Sequence, residues 1–261
     1  MERISTGVAG LDDMLMGGLI PKRPYVVTGP PGSGKTTLGI HFLMEGIRNN
    51  ENVMMSALDE PPNEIKANAQ SFGFDTDAIK IMDAVPEVRG LMRGGPIVDI
   101  GTVLDFRTMR DVRELRPSRS RGGVQVSIHS VQKMIRQEAE DLYEETDERY
   151  TRVVIDSLTG LKLFGMKGED QRTLIQSFFR FLSEMEATVL IITDLPEPDA
   201  IDTEVFLARG EIRLHKVKKD DSVMRGISIE KMRGSAFDDI IRPMKIASSG
   251  IEVMSNKILE I

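Results

Sequence analysis

The stretch Tyr25-Val26-Val27-Thr28-Gly29-Pro30-Pro31-Gly32-Ser33-Gly34-Lys35-Thr36-Thr37-Leu38 decides the fold. An apolar run, Tyr25 to Val27, reads as a buried strand. It ends in a loop of glycines and prolines, and from Thr36 to Arg48 the apolar residues Leu38, Phe42 and Met44 to Ile47 recur at near-helical spacing. Gly29 to Thr36 satisfies G-x-x-x-x-G-K-[ST], and it does so between a strand and a helix, where the pattern has mechanical meaning. Glycines let backbone N–H groups turn inward around phosphate oxygens, and the helix start adds its positive dipole end. Lys35 is expected to reach the β- and γ-phosphates and the Thr36 hydroxyl to ligate Mg²⁺. The expected phosphate-loop contacts are therefore Gly29, Gly32, Ser33, Gly34, Lys35, Thr36 and Thr37.

Outward from this loop the chain alternates between the two periodicities. Strands are expected at Val53–Ala57, Ile79–Met82, Arg152–Ile155 and Thr188–Ile192, and helices at Asn63–Ser71 and Gln171–Glu186, the latter with Leu174, Phe178, Phe181, Leu182 and Met185 on one face. Buried-type strands alternating with amphipathic helices predict an α/β fold, a mostly parallel sheet flanked by helices. After about Pro198 the pattern changes to short strands at Glu211–Val217, Gly226–Met232, Ile241–Ile246 and Ile251–Met254, which read as a C-terminal antiparallel extension. No internal repeat divides the 261 residues, so a single domain is expected.

The formal charge of −7 conceals two unlike parts. Between Arg89 and Gly123 there are eight Arg, four acids and no Lys, a net of +4, so the rest of the chain carries −11. This stretch, rich in Gly and Pro, reads as an insertion at about 85–130, and the acidic run Glu138–Glu148 after it reads as a solvated helix face. Only Phe106 offers base stacking within it, so a loop or subunit-interface element is favoured over nucleic-acid contact. The absence of Cys excludes disulfides, thiolate zinc sites and a Cys nucleophile. His41, His129 and His215 lack metal spacing, and the sixteen Met are expected to fill core gaps. No apolar run is long enough to span a bilayer and the amino terminus opens directly into patterned sequence, so a cytoplasmic setting is expected.

Oxygen ligands must then carry any metal chemistry. Asp156 closes the apolar run Arg152–Ile155 and is expected to hold the Mg²⁺ side together with Thr36. Asp59 and Glu60 close the strand after the phosphate-loop helix and can orient or deprotonate an attacking water. Glu60 is the favoured base, while Asp59 is equally placed to cap the helix starting at Pro61 and Pro62.

At this point the residues resemble those of the KaiC-like group of RecA-superfamily ATPases. Ser5-Thr6-Gly7-Val8-Ala9-Gly10-Leu11-Asp12 with Gly17-Gly18-Leu19 resembles the entry motif of that group. The phosphate loop, Asp59-Glu60, Asn68-Ala69-Gln70-Ser71-Phe72-Gly73, Val154-Ile155-Asp156-Ser157 and Lys231-Met232-Arg233-Gly234 follow in the order of the group. The resemblance implies a RecA-like P-loop core that binds ATP and Mg²⁺ between subunits of a homo-hexamer or other homo-oligomer. It also implies nucleotide contacts from Ser71, Lys231, Met232 and Arg233, with Lys231 and Arg233 reaching the γ-phosphate held by a neighbour. Lys35, Asp59, Glu60, Lys231 and Arg233 are then the expected catalytic set. One domain, with Thr203 alone as an internal hydroxyl of Asp194–Gly210, gives no ground for expecting circadian timing or autokinase activity. The expected function is a slow, oligomeric regulatory ATPase whose nucleotide state changes affinity for a protein partner. The alternatives are a nucleotide-gated scaffold without significant turnover and a recombinase-like nucleic-acid-binding ATPase.

Overall fold

In the computed structural model, which describes residues 2–84, 128–165, 170–195, 202–219 and 222–259, the β-branched runs of the sequence become the centre of one nine-stranded sheet. In chain order the elements are α1 (Ala9–Met14), β1 (Pro24–Gly29), α2 (Lys35–Arg48), β2 (Asn52–Ala57), α3 (Pro62–Ser71), β3 (Lys80–Asp83), α4 (Ile128–Thr146) and β4 (Tyr150–Asp156). They continue with α5 (Leu158–Gly165), α6 (Asp170–Glu184), β5 (Thr188–Asp194), α7 (Thr203–Leu207), β6 (Gly210–Lys219), β7 (Ser222–Met232), β8 (Arg242–Ala247) and β9 (Gly250–Val253).

The strand order is β3-β2-β4-β5-β1-β6-β7-β8-β9. The six strands from β3 to β6 run parallel, and β7, β8 and β9 add antiparallel pairs, as the change of pattern after Pro198 predicts. β1 is buried along its whole length because both faces of the sheet are covered. Tyr25 and Val27 face a core built with Leu38, Phe42, Val154 and Leu190, while Val26 faces the opposite core with Val153, Val189, Phe178 and Leu182. The period-2 alternation of a strand is what divides one run of apolar residues between two cores.

Two polar devices tie the amino-terminal entry segment to this frame. The carboxylate of Asp12 accepts from Ser5 Oγ at 2.6 Å, Thr6 N at 2.8 Å and Thr6 Oγ1 at 2.7 Å. The buried Arg152 donates to Ser5 O at 2.7 Å and Phe42 O at 3.1 Å and lies bidentate on Glu51 at 2.9 and 2.8 Å. The proposed Arg-rich insertion falls almost wholly outside the described residues. The acidic run lies on α4 up to Thr146, with Asp147 and Glu148 beyond it; most of its carboxylates are exposed, but Glu138 is half-buried, accepting from Tyr150 Oη at 2.9 Å and pairing with Lys80 at 2.8 Å. No helix among the described residues is long and apolar enough to cross a membrane.

Candidate nucleotide site

The parallel strands deliver their carboxyl ends to one edge, the usual ligand position in such sheets. Gly29 of β1 lies in register with Asp194 of β5, and Ala57 of β2 with Asp156 of β4. This edge gathers the phosphate loop, Asp59, Glu60, Asp156 and Asp194. Gly32 at φ 72° and Gly34 at φ 108° occupy the left-handed region, where a side chain is strained, and Gly34 directly precedes α2. The loop geometry therefore depends on glycine at these two positions.

Inside the loop Lys35 is buried and its ammonium is fully committed. It donates to Gly29 O at 2.9 Å and Pro30 O at 3.0 Å and pairs with Asp194 Oδ1 at 2.7 Å. The hydroxyl of Ser33 is buried with no hydrogen-bond partner among the described residues. A buried hydroxyl in the phosphate loop that lacks a partner is what a phosphate oxygen would complete. Lys216 of β6, which donates to Pro31 O at 3.4 Å, brings a second cation to the rim of the loop.

The structure brings Thr36 and Asp156 together, the hydroxyl hydrogen-bonded to the carboxyl group. Burial pushes Asp156 up to about 7, and the charges of Asp59 and Glu60 push in the same direction against the Thr36 bond and Lys35. The Thr36 hydroxyl and the Asp156 carboxyl are oxygen donors of the kind Mg²⁺ takes, while no cluster of three or more acidic or imidazole ligands stands among the described residues. Asp59 does not cap α3: the N-cap position is Pro61, which makes no side-chain cap, and the Asp59 carboxylate instead accepts from Ser157 Oγ. Asp59 is open to solvent on its outer side. Loss of water from its inner side raises its pKa, Asp194 adds to the rise, and Ser157 and Lys35 oppose it. Glu60 stands exposed at the same sheet edge, and Thr37 is half-buried in the first turn of α2.

The remaining expected residues lie elsewhere in the chain. Ser71 ends α3, exposed, its hydroxyl turned back onto Asn68 O at 2.6 Å. Lys231 pairs with Glu211 across β7 and β6, and Glu211 is level with Val26, three residues short of Gly29. That offset is about 10 Å along the strands, and β7 lies a further two strand spacings, about 10 Å, away from β1. Lys231 donates to Val205 O at 2.8 Å and Phe206 O at 2.9 Å, and Arg233 to Phe206 O at 3.3 Å. Met232 is buried in the core, which leaves only its backbone for a nucleotide.

With this geometry in place, the comparisons with known proteins are specific. The family model described as "ATPase: KaiC" matches residues 4–88 and 105–258. The chain belongs to the KaiC family of ATPases. Among its relatives is a UPF0273 protein of Saccharolobus solfataricus, 27% identical over 100% of this chain and 86% of the relative. Another is the circadian clock oscillator protein KaiC of Prochlorococcus marinus, 29% identical over 96% of this chain, which spans 44% of that relative. A solved structure of a KaiC-like protein from Pyrococcus horikoshii shares the fold at a TM-score of 0.73 and 22% identity, covering 97% of this chain and 99% of its own. The KaiC family match resumes at residue 105, so the Arg-rich stretch from Arg107 onward lies within matched sequence.

Four further residues stand at this edge or contact those that do. Asp194 was hidden because its strand reads as ending at Ile192, although an Asp closing a Val/Ile-rich run is the same signal that marks Asp156. Ser157 and Lys216 enter through contacts between elements that are distant in sequence. Gly160 of α5 lies against the same carboxylate: a Cβ there would stand 2.1 Å from Asp59 Oδ1, which would have to shift.

Proposed function

We propose that the protein binds Mg·ATP between subunits of a homo-oligomer, hydrolyses it slowly, and uses the nucleotide state to change its affinity for a protein partner. The observation that carries this reading is the convergence of Lys35, Thr36, Asp156 and the Asp59-Glu60 pair on one sheet edge. The loop N–H groups, Ser33 and Lys35 would bind the phosphates, with Thr36 and Asp156 holding Mg²⁺. When bound, Mg²⁺ neutralises charge on the phosphate oxygens. Glu60, exposed at the sheet edge, orients the attacking water and accepts its proton as the γ-phosphoryl group passes to the water oxygen. Asp59, tied to Ser157, keeps the strand end in position.

The remote placement of Lys231 and Arg233 supports a role in trans. At about 10 Å along and about 10 Å across the sheet they stand beyond reach of their own phosphate loop. A neighbouring subunit would bring its γ-phosphate to them, where cations stabilise the charge that develops in transfer. Ser71, exposed on α3, is likewise placed to serve an adjoining surface.

Phosphate release from the wild type and the Lys35→Ala, Glu60→Gln and Arg233→Ala variants tests this function. Each variant should lose at least about 100-fold in rate, and equal rates in all four would defeat the assignment. An equal mixture of Glu60→Gln and Arg233→Ala chains should regain activity at about a quarter of its sites, because each supplies what the other lacks. No regain would place Arg233 in its own subunit's site or outside catalysis. Sizing with and without Mg·ATP should report an oligomer in its presence.

A further inference from the structure

Two sets of cations in this structure are occupied by the protein itself, and one buried carboxylate lies between them. Lys35 has three donors, all taken by Gly29 O, Pro30 O and Asp194, so contact with a phosphate requires it to give up at least one. The anionic partner, Asp194, is the one in direct competition with a phosphate. At the other end, Lys231 and Arg233 rest on the last carbonyls of α7, those of Val205 and Phe206. Helix C-terminal carbonyls attract cations, and these two must leave them to reach a phosphate on another subunit.

The connection between the ends is short and buried. Thr193, next to Asp194 on β5, is fully buried and its hydroxyl donates to Glu204 Oε1 of α7 at 3.0 Å. Lys162 of α5 donates to the same oxygen at 2.9 Å and to Asp202 Oδ2 at 2.6 Å. Glu204 is itself fully buried, and its Oε2 has no hydrogen-bond partner among the described residues. A buried carboxylate with one oxygen unsatisfied belongs to an arrangement with something to gain from moving. α7 has only five residues, of which Glu204 and Val205 are buried, and Glu204 is the one that reaches β5 through Thr193.

We propose that Asp194, Thr193 and Glu204 are positioning residues that couple nucleotide occupancy of one subunit's phosphate loop to release of Lys231 and Arg233 toward the nucleotide of its neighbour. The proposal rests on the trans reading of those two cations. Phosphate takes Lys35 from Asp194, the Asp194 carboxylate loses its ion pair to the loop while the strand end stays hydrogen-bonded to Gly29 O and Thr159 Oγ1, and the Thr193–Glu204 contact passes the resulting adjustment to α7. An empty subunit keeps its cations on α7 and leaves the adjoining site incomplete. Each end has two discrete partners for its cation, which is the physical requirement for coupling between sites.

The test mixes wild-type chains with tagged Gly34→Ala chains, which keep Lys35 and Asp194 but strain the phosphate loop and are confirmed by calorimetry to bind no ATP, and measures phosphate release per wild-type subunit at saturating Mg·ATP, incorporation being read by recovery on the tag. At equal mixing the per-subunit rate should fall to about half, since half of the wild-type sites then adjoin an empty donor. The same mixing with Thr193→Val in both chains should leave the per-subunit rate near that variant's own unmixed value. An unchanged rate in the wild-type mixture, or an equal fall in both backgrounds, would overturn the proposal. Failure of the trans reading is seen separately, as no regain in the Glu60→Gln and Arg233→Ala mixture. Whether or not mixed assemblies form, Asp194→Asn in a Glu60→Gln chain should bind ATP about 10-fold more tightly, because the competing carboxylate is gone. Unchanged or weaker binding would overturn the proposal as well.

Discussion

Acid should loosen the phosphate-loop helix through one buried imidazole. His41 lies within α2, 6% exposed, and its Nε2 accepts from Ile251 N of β9 at 2.8 Å. A further hydrogen bond to the Gly7 backbone fixes the neutral ring with its proton on Nδ1. Burial, helped by the charge of Arg48 and opposed by the Gly7 bond, lowers its pKa from 6.5 to about 4. The unfolded chain therefore binds this proton below pH 6.5 while the folded chain refuses it until about pH 4. Folded-state stability from this group is fully present above pH 6.5 and is lost as pH falls through 4. At 1.36 kcal/mol per unit the whole loss is about 3 kcal/mol, of which about 2 kcal/mol has gone by pH 5. Urea unfolding at pH 8 and pH 5 measures the difference, and the His41→Gln variant, which keeps an acceptor for Ile251 N, removes the titrating group. Its pH 8 to pH 5 difference should be smaller than that of the wild type by about 2 kcal/mol. Other carboxylates contribute equally to both proteins and cancel. Identical pH dependence in the two would refute the assignment of a neutral, acid-sensitive link between α2 and β9.

Gly160→Ala drives a Cβ to 2.1 Å from Asp59 Oδ1, so the carboxylate must move by about 1 Å and give up Ser157. Stability should change by less than about 1 kcal/mol, because alanine favours helix α5, while phosphate release falls about 10- to 100-fold; an unaltered rate would remove Asp59 from the machinery. Ser33→Ala deletes a buried, unpartnered hydroxyl, so the nucleotide-free protein should melt at the same temperature or higher while ATP binding weakens by about 1 kcal/mol, read by calorimetry. Arg152→Ala strips its hydrogen bonds to Ser5 O and Phe42 O, its pair with Glu51 and its stacking 4.8 Å from the Phe42 ring, and should cost at least about 3 kcal/mol in urea unfolding.

The parts of the fold legible in the sequence are those whose cause is local. The β1–loop–α2 unit announces itself because strand, glycine turn and helix are contiguous, and Arg152–Ile155 and Thr188–Ile192 because β-branched residues cluster there. Boundaries were less legible: β4 and β5 extend to Asp156 and Asp194, since polar residues at a strand end still pair with the neighbouring strand. α1 and α7, of six and five residues, are too short to show a helical period. Asp59 illustrates the limit at the site. Its place before Pro61 and Pro62 suits a cap, yet Ser157, 98 residues away, takes its carboxylate instead. Nothing local to Asp59 encodes that partner, which is set by the pairing of β2 with β4.

The same register explains the electrostatics of the candidate site. Asp59, Glu60, Asp156 and Asp194 meet at the edge where a polyanion is proposed to bind, with Lys35 and Lys216 as the nearby cations. Acids outnumber bases, and Lys35 is already paired, so the bare edge is a poor electrostatic host for free ATP. A divalent cation reverses that balance: it neutralises phosphate charge and gives the desolvated Asp156 an opposite charge in place of a proton. The acidity of the edge thus favours a substrate that arrives with its metal. It also gives Asp194 its force as a competitor, since an ammonium among carboxylates exchanges one for a phosphate only when that phosphate comes with its own counter-charge.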